Sequence, residues 1–394
     1  RNGVTPTVIT FICALNACSQ IGAAEKGQEI HAQISKRGLI GSSLLVANAV
    51  VDMYSKCGLV RKAQEVFDEL LVRDVISWTA LLSGYAENGD AKDAMICFEK
   101  MKCEGVCPNM VSYNFILQAC GTLVLHEKGR EIHSVIIKEL LLRKSISIGT
   151  ALIDMYAKCG TLARAQEVFD ELPVRDVVLW TALIAGYAEQ GHGEKALYCF
   201  KRMKADGFLP NSVTFICILK ACGTIGAASI GQEIHTEIMR EGLVEKDILV
   251  GNALVDMYIK CGLVSDAQNV FAKLNVRDIA SWNSMIAGYG INNDIRGAVQ
   301  AFEDMQGDKS IAPDATTFIC LLSACSRGSL VDEGHKYFRM MGEIYGIVPT
   351  IDHMNCIVDI FARAGDVHEA MKLIGLISLF YCNKGYVNYF TDCL

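Results

Sequence analysis

The chain has no surplus of positive charge: 37 Lys and Arg face 44 Asp and Glu, a formal net charge of −7 over 394 residues. A global basic field is therefore absent, and a polyanion would have to be held by local groups. Charged residues make up only 21% of the chain against 51% hydrophobic ones, which excludes extended disorder and suits a well-buried fold. Nowhere are two cysteines three residues apart, although the chain holds 17. That removes the C-x-x-C element of common zinc and redox motifs; the nearest pair, Cys103 and Cys107, falls across an expected helix end. The cysteines recur at repeat positions in a long chain, so they read as reduced and buried rather than as a disulfide scaffold. Residues 105–125 carry no Asp, Glu, Lys or Arg, but Pro108, Asn109, Asn114, Gln118 and Gly121 interrupt them, and no membrane span is read there. Walker loops, nucleophile elbows and clustered catalytic carboxylates are missing.

What is present is repetition. The segment AVVDMYSKCG from Ala49 returns as ALIDMYAKCG from Ala151 and ALVDMYIKCG from Ala253. Three sets of residues step by 102 positions: Trp78, Trp180 and Trp282; His31, His133 and His235; Cys57, Cys159 and Cys261. Matched polar residues divide one period into three units. Thr79 to Asn114 spans 35 residues, Asn114 to Thr150 spans 36, and Thr150 to Thr181 spans 31. Each unit reads as a helix pair. In VISWTALLSGYAENG, Trp78, Leu81, Leu82 and Tyr85 form an amphipathic stripe that Gly89 ends; in DAKDAMICFEKM the stripe is Ala94, Phe98 and Met101. Pairs this short bury their apolar faces only by stacking on neighbours, which predicts an all-α solenoid. Pro6, Pro108, Pro210, Pro313 and Pro349 lie at unit ends, where they stop one helix before the next begins.

The recurring forms VxSWTALLxGYAENG, VTFICILKACGTxGAxxxGQEIH and ALxDMYxKCGLVxxAQxVFxxLxVRD, with their alternating lengths, resemble the plant pentatricopeptide repeat (PPR) proteins of the PLS class. The likeness runs from about Gly3 to Leu373. It implies a right-handed α-solenoid superhelix of stacked helix-turn-helix repeats. It sets L units at Val8, Met110 and Ser212, S units at Leu44, Ile146 and Ile248, and P units at Val75, Val177 and Ile279. The unit at Ala315 resembles the variant L unit that closes such arrays, and the one at Ile351 the terminal S variant. Residues 1–7 then read as the end of a truncated preceding repeat, 8–376 as an array of about eleven repeats, and 377–394 as a non-repeat tail. Because the chain starts at Arg1, it is expected to be a fragment in which a targeting peptide would not be visible.

In such proteins each P or S unit is expected to read one base of single-stranded RNA, using the fifth residue of its first helix and the last residue before the next unit. The pairs here are Asn48 with Asp74, Thr79 with Asn109, Thr150 with Asp176, Thr181 with Asn211, Asn252 with Asp278, and Asn283 with Asp314. The resemblance assigns Asn-Asp to a pyrimidine with U preferred, Thr-Asn to A and Thr-Asp to G. With L units left as n, the expected target is 5′-n-Y-A-n-G-A-n-Y-Y-n-3′ for the units from Val8 to Ala315. It further implies that Leu45, Ile76, Val178 and Leu249 wedge bases apart and that Lys56, Lys158 and Lys260 face phosphates, with Glu87, Glu189 and Ile291 at the matching places in P units. Plainer roles stand beside each of these. The Asp and Asn residues before a helix are good N-caps, the threonines can bond back to their own helix, the apolar residues can be core, and the lysines can be ordinary solvated side chains near a helix C-terminus. Asn48, Asn252 and Asn283 are harder to explain so, because Asn is a poor interior helix residue.

No cofactor and no metal are expected. A deaminase would need H-x-E followed by P-C-x-x-C; His235, Thr236 and Glu237 supply only the first half, inside an L unit. The resulting expectation is an organellar RNA-binding protein, in mitochondrion or chloroplast, that is not itself an enzyme. It would recognise sites for C-to-U editing or other RNA processing, with a deaminase or editing-complex protein acting in trans. The alternative is a protein-binding scaffold of the helical-repeat type.

Overall fold

The helices begin where the sequence supplies caps. Asp74 Oδ1 accepts the Ser77 backbone N–H at 2.8 Å while Ser77 Oγ accepts the Asp74 N–H at 2.8 Å, a reciprocal cap that opens helix Val75–Glu87. Asn109, Asn211, Asp278 and Asp314 accept the N–H of Ser112, Thr214, Ser281 and Thr317 at 2.9, 2.9, 2.8 and 2.8 Å. Pro108, Pro210 and Pro313 stand one residue before three of these caps, where they cannot continue the preceding segment. At the other end, the repeated Lys-Cys-Gly stops the helix with Gly58, Gly160 and Gly262 at φ 76°, 73° and 76°, a left-handed conformation that a side chain would oppose.

The computed structural model of the protein describes residues 6–308 and 311–382, and among these all regular structure is helical. First helices of successive repeats run Val8–Ile21, Leu44–Lys56, Val75–Glu87, Met110–Thr122, Ile146–Lys158, Val177–Glu189, Ser212–Ile225, Ile248–Lys260, Ile279–Ile291, Ala315–Arg327 and Ile351–Ala364. Each opens at the residue where the sequence period starts a unit. The different unit lengths have visible causes. The longer units add a short turn of helix, as at Leu39–Ser42, Leu141–Arg143 and Leu243–Lys246, whereas the shorter ones have brief second helices, Val60–Asp68, Leu162–Glu171 and Val264–Lys273.

Two compact units, residues 1–190 and 191–394, divide the chain. Within each, first helices pack on the first helix of the next repeat and on their own second helices, so each is an α-solenoid stack. Helix Val367–Cys382 passes the expected array boundary at 376; of the expected flanking segments, residues 1–5 and 383–394 lie outside the described residues.

Repeat identity is spent on this stacking. Trp78 meets Phe67 edge-on at 4.6 Å, and the Arg73 guanidinium covers the same Phe67 ring at 4.9 Å; Trp282, Phe271 and Arg277 repeat the arrangement at 4.8 and 4.9 Å. Gly84 lets two first helices touch, since a Cβ there would lie 2.5 Å from Ser55 Oγ and 3.3 Å from Ser55 Cα. The recurring histidines meet recurring tyrosines: His31 with Tyr54, His133 with Tyr156 and His235 with Tyr258, at 2.9, 2.9 and 2.8 Å. His235 is thereby part of the scaffold, and no group of three metal-ligating side chains occurs among the described residues. Cys18, Cys97, Cys120, Cys222 and Cys325 are buried and unbridged while Cys13, Cys103 and Cys107 are exposed. Burial pushes the Cys97, Cys120, Cys222 and Cys325 thiols up to about 12, far from the thiolate range that reactive cysteines need. Among the described residues no helix is long and apolar enough to cross a membrane.

Candidate nucleic-acid interface

In three repeats the fifth residue and the last residue meet directly. Asn48 Nδ2 donates to Asp74 Oδ1 at 3.2 Å, Asn252 Nδ2 to Asp278 Oδ1 at 3.1 Å, and Asn283 Nδ2 to Asp314 Oδ1 at 3.2 Å. A carboxylate only accepts, so it fixes which end of each amide turns toward it. The Oδ1 atoms of Asn48, Asn252 and Asn283 are buried without a hydrogen-bond partner, an arrangement that costs about 1–3 kcal/mol per atom.

The carboxylates are held as acceptors. Partial burial alone would raise Asp74, but the Ser77 backbone and hydroxyl and the Asn48 amide outweigh it and hold the carboxyl below its usual value. Asp278 and Asp314 are depressed in the same way, against their burial, by Ser281 with Asn252 and by Thr317 with Asn283. Capping and pairing converge on Oδ1 of Asp74 and Asp314, so that neither role draws on Oδ2.

The threonine repeats are built differently. Thr79, Thr150 and Thr181 donate to the carbonyls of Val75, Ile146 and Val177 at 2.6, 3.3 and 2.7 Å, so the back-bonding anticipated for threonine is real and leaves the hydroxyl oxygen as an acceptor. Thr79 approaches its expected partner through an intermediary: its Oγ1 lies 2.9 Å from Ser112 Oγ, which in turn lies 3.1 Å from Asn109 Oδ1, and with the Thr79 hydrogen on Val75 the one Ser112 hydroxyl hydrogen serves either Thr79 or Asn109. Thr150 and Asp176 are not joined in this way; Asp176 Oδ1 caps its helix through the Leu179 N–H at 2.8 Å. Thr181 and Asn211 belong to different compact units, and Asn211 caps its own helix.

Leu45, Ile76, Val178 and Leu249 are 65%, 53%, 56% and 60% exposed. They are not core. Leu45, Asn48, Ile76, Thr79 and Asn109 line one cleft of about 440 Å³, together with Lys56 and Glu87. The lysines carry a partner that the sequence reading overlooked. Lys56, Lys158 and Lys260 each bind an aspartate four residues earlier, Asp52, Asp154 and Asp256, at 2.9, 2.7 and 2.7 Å. The signal was the Asp-Met-Tyr-x-Lys spacing, which places both charges on one helix face.

An α-solenoid of helix pairs with a file of short polar side chains along its first helices is the class that fold and site define. Family profiles narrow it: the Pentatricopeptide repeat domain matches residues 61–122, the PPR repeat family 175–224 and 277–327, and the PPR repeat 46–75, 150–177, 252–279, 316–344 and 352–378. The chain belongs to the pentatricopeptide repeat family. An Arabidopsis thaliana pentatricopeptide repeat-containing protein is 38% identical over 88% of this chain and 47% of its own length. A chloroplastic and a mitochondrial one from the same plant are 37% and 35% identical over 95% of this chain and 46% and 54% of theirs. The chain thus spans about half the length of these curated relatives. In fold it is similar to the pentatricopeptide repeat protein PPR10 in complex with an 18-nucleotide psaJ RNA element, with a TM-score of 0.69 and 21% identity over 99% of this chain and 61% of that one. It is also similar to yeast Rmd9p in complex with a 16-nucleotide target RNA, with a TM-score of 0.50 and 11% identity over 97% and 92%.

Proposed function

We propose that this chain binds single-stranded RNA sequence-specifically, one base per P or S unit of a PLS-type array over residues 8–376. The observation that carries the reading is the Asn-Asp contact repeated at Asn48, Asn252 and Asn283, the first of them beside the cleft that Leu45 and Ile76 flank. With one Nδ2 hydrogen on the carboxylate, each Asn has a second N–H to give, and the carboxylate has an oxygen to accept. Uracil offers the complement, a carbonyl acceptor beside the N3–H donor. Cytosine turns an acceptor N3 toward the carboxylate and is disfavoured.

The threonine pairs carry the opposite polarity. A hydroxyl whose hydrogen is committed to the helix accepts from the amino edge of a purine. The last residue then decides between purines. Asn109, with Oδ1 engaged in capping, donates through Nδ2 to adenine N1, whereas Asp176 accepts from guanine N1–H. Leu45, Ile76, Val178 and Leu249, at the second position of their units, separate adjacent bases, and Lys56, Lys158 and Lys260 supply modest phosphate attraction, tempered by their aspartates.

The target is 5′-n-Y-A-n-G-A-n-Y-Y-n-3′, in mitochondrion or chloroplast, the compartments named for two relatives. The role is site recognition for C-to-U editing or other RNA processing, with the chemistry supplied by a protein acting in trans. A gel-shift comparison of this RNA with a scrambled one at fixed salt tests the reading; equal affinities would refute it.

A further inference from the structure

The four L-type repeats carry Ile12, Asn114, Ile216 and Ile319 as the fifth residue of their first helices. Three are hydrocarbon and one is an amide. Asn114 does not merely lie on the surface at that place. Its Nδ2 donates to Ser147 Oγ at 3.2 Å, Ser147 Oγ lies 2.8 Å from Ser145 Oγ, and its Oδ1 is buried without a partner, as in Asn48, Asn252 and Asn283. Ser145 is the last residue before helix Ile146–Lys158, the place that Asp74 holds in its own repeat. Its side chain makes no cap hydrogen bond and is turned instead to the Ser147 hydroxyl. Val111, at the second position of this repeat, is exposed and lines the same cleft as Leu45, Asn48, Ile76 and Thr79.

We infer that the repeat beginning at Met110 is a base-reading repeat, and that Asn114, with the Ser145 and Ser147 hydroxyls, selects a pyrimidine at the fourth position of the target. This rests on the proposed one-base-per-repeat reading and extends it to a repeat that reading leaves blank. The selection follows from size and polarity. The amide reaches further from the helix than a threonine hydroxyl, so the smaller ring fits against it, and its second N–H meets the pyrimidine O2. No carboxylate stands opposite. The hydroxyls can donate to cytosine N3 or accept from uracil N3–H, so cytosine binds here at least as well as uracil, unlike at the Asn-Asp repeats.

The test is a set of RNAs in which positions 1, 2, 4, 7 and 8 of the target are varied singly through all four bases, with affinities measured by fluorescence anisotropy at fixed salt. Position 4 should favour C and U over A and G by about fivefold, the discrimination that one hydrogen bond provides, while positions 1 and 7, facing Ile12 and Ile216, discriminate less than about twofold, as hydrocarbon offers no hydrogen bond to tell one base edge from another. Asn114→Ile, which copies the sister repeats and so retains the scaffold, should abolish the preference at position 4 and leave position 2 unchanged. Asn114→Thr should turn it toward purines. Equal affinities at position 4 with selectivity retained at positions 2 and 8 would overturn this inference alone. Loss of selectivity at all positions would overturn the base-reading function and this inference with it.

Discussion

Asn48 gives a hydrogen to the same Asp74 oxygen that receives the Ser77 backbone N–H, at 3.2 and 2.8 Å. One carboxylate oxygen therefore starts a helix and orients a base-reading candidate from the preceding repeat. The two roles that sequence alone leaves as alternatives, cap and reader, occupy the same atom, and neither draws on the second oxygen.

Recoding follows from that geometry. Asn48→Thr removes the amide donor and keeps Asp74, which makes the repeat match Thr150 with Asp176. RNA with G at position 2 should then bind about tenfold better relative to U than it does to the parent chain, the effect of one or two charge-assisted hydrogen bonds. Filter binding with the two RNAs reads this directly, and an unchanged preference would remove Asn48 from the recognition set.

The ion pairs of Lys56, Lys158 and Lys260 with Asp52, Asp154 and Asp256 restrain backbone attraction. Replacing the three aspartates by Asn should raise affinity for any RNA sequence and steepen its salt dependence. Replacing the three lysines by Ala should weaken binding uniformly and flatten the plot of log affinity against log salt by about 0.7 for each phosphate no longer neutralised. Base preferences should be unchanged in both. These pairs are exposed, so folding stability should move little in either variant.

How much was legible in advance depends on which atoms did the work. Helix starts were readable because a Pro and an Asn or Asp precede several of them, and both residues act locally. The exposure of Leu45 and its counterparts was not readable, because the apolar stripe of a short first helix is wide enough to include or omit its second residue. Nor was the meeting of Asn48 and Asp74, 26 residues apart, which depends on how one repeat leans on the next. The pairing of Lys56 with Asp52 was written at helical spacing and passed over.

Acid should unfold the protein in two steps. Burial lowers His31, His133 and His235 from the ordinary 6.5, with smaller contributions from neighbouring charges. Their folded-state values are depressed, so the stability they contribute is complete above 6.5 and is lost as pH falls through the depressed values. Asp74, Asp278 and Asp314 are lowered from 3.8, so their contribution disappears only below that. Melting temperatures measured from about pH 7.5 to about pH 3 should decline first beneath about pH 6.5, and the triple change of these histidines to Gln should shrink the first decline, the rest belonging to His335 and His353, which burial also lowers.

Gly84→Ala should destabilise the stack although Ala is the better helix former by about 1 kcal/mol. Its Cβ would lie 2.5 Å from Ser55 Oγ and 3.3 Å from the Ser55 Cα, so overpacking by about 1–3 kcal/mol outweighs propensity. Urea unfolding should show a lower midpoint; Gly89→Ala, whose φ is 86° in open space, should cost through backbone strain alone.

The central claim is that side-chain pairs, spaced by repeats, each choose one base. Selection of RNA from a random pool by the purified chain, followed by sequencing, tests it most directly. The account predicts an enriched register with pyrimidine, A, G, A, pyrimidine and pyrimidine at positions 2, 3, 5, 6, 8 and 9, a further pyrimidine at position 4, and no preference at positions 1, 7 and 10. An enriched pool with no such register, or one whose register survives Asn48→Thr unaltered, would contradict it.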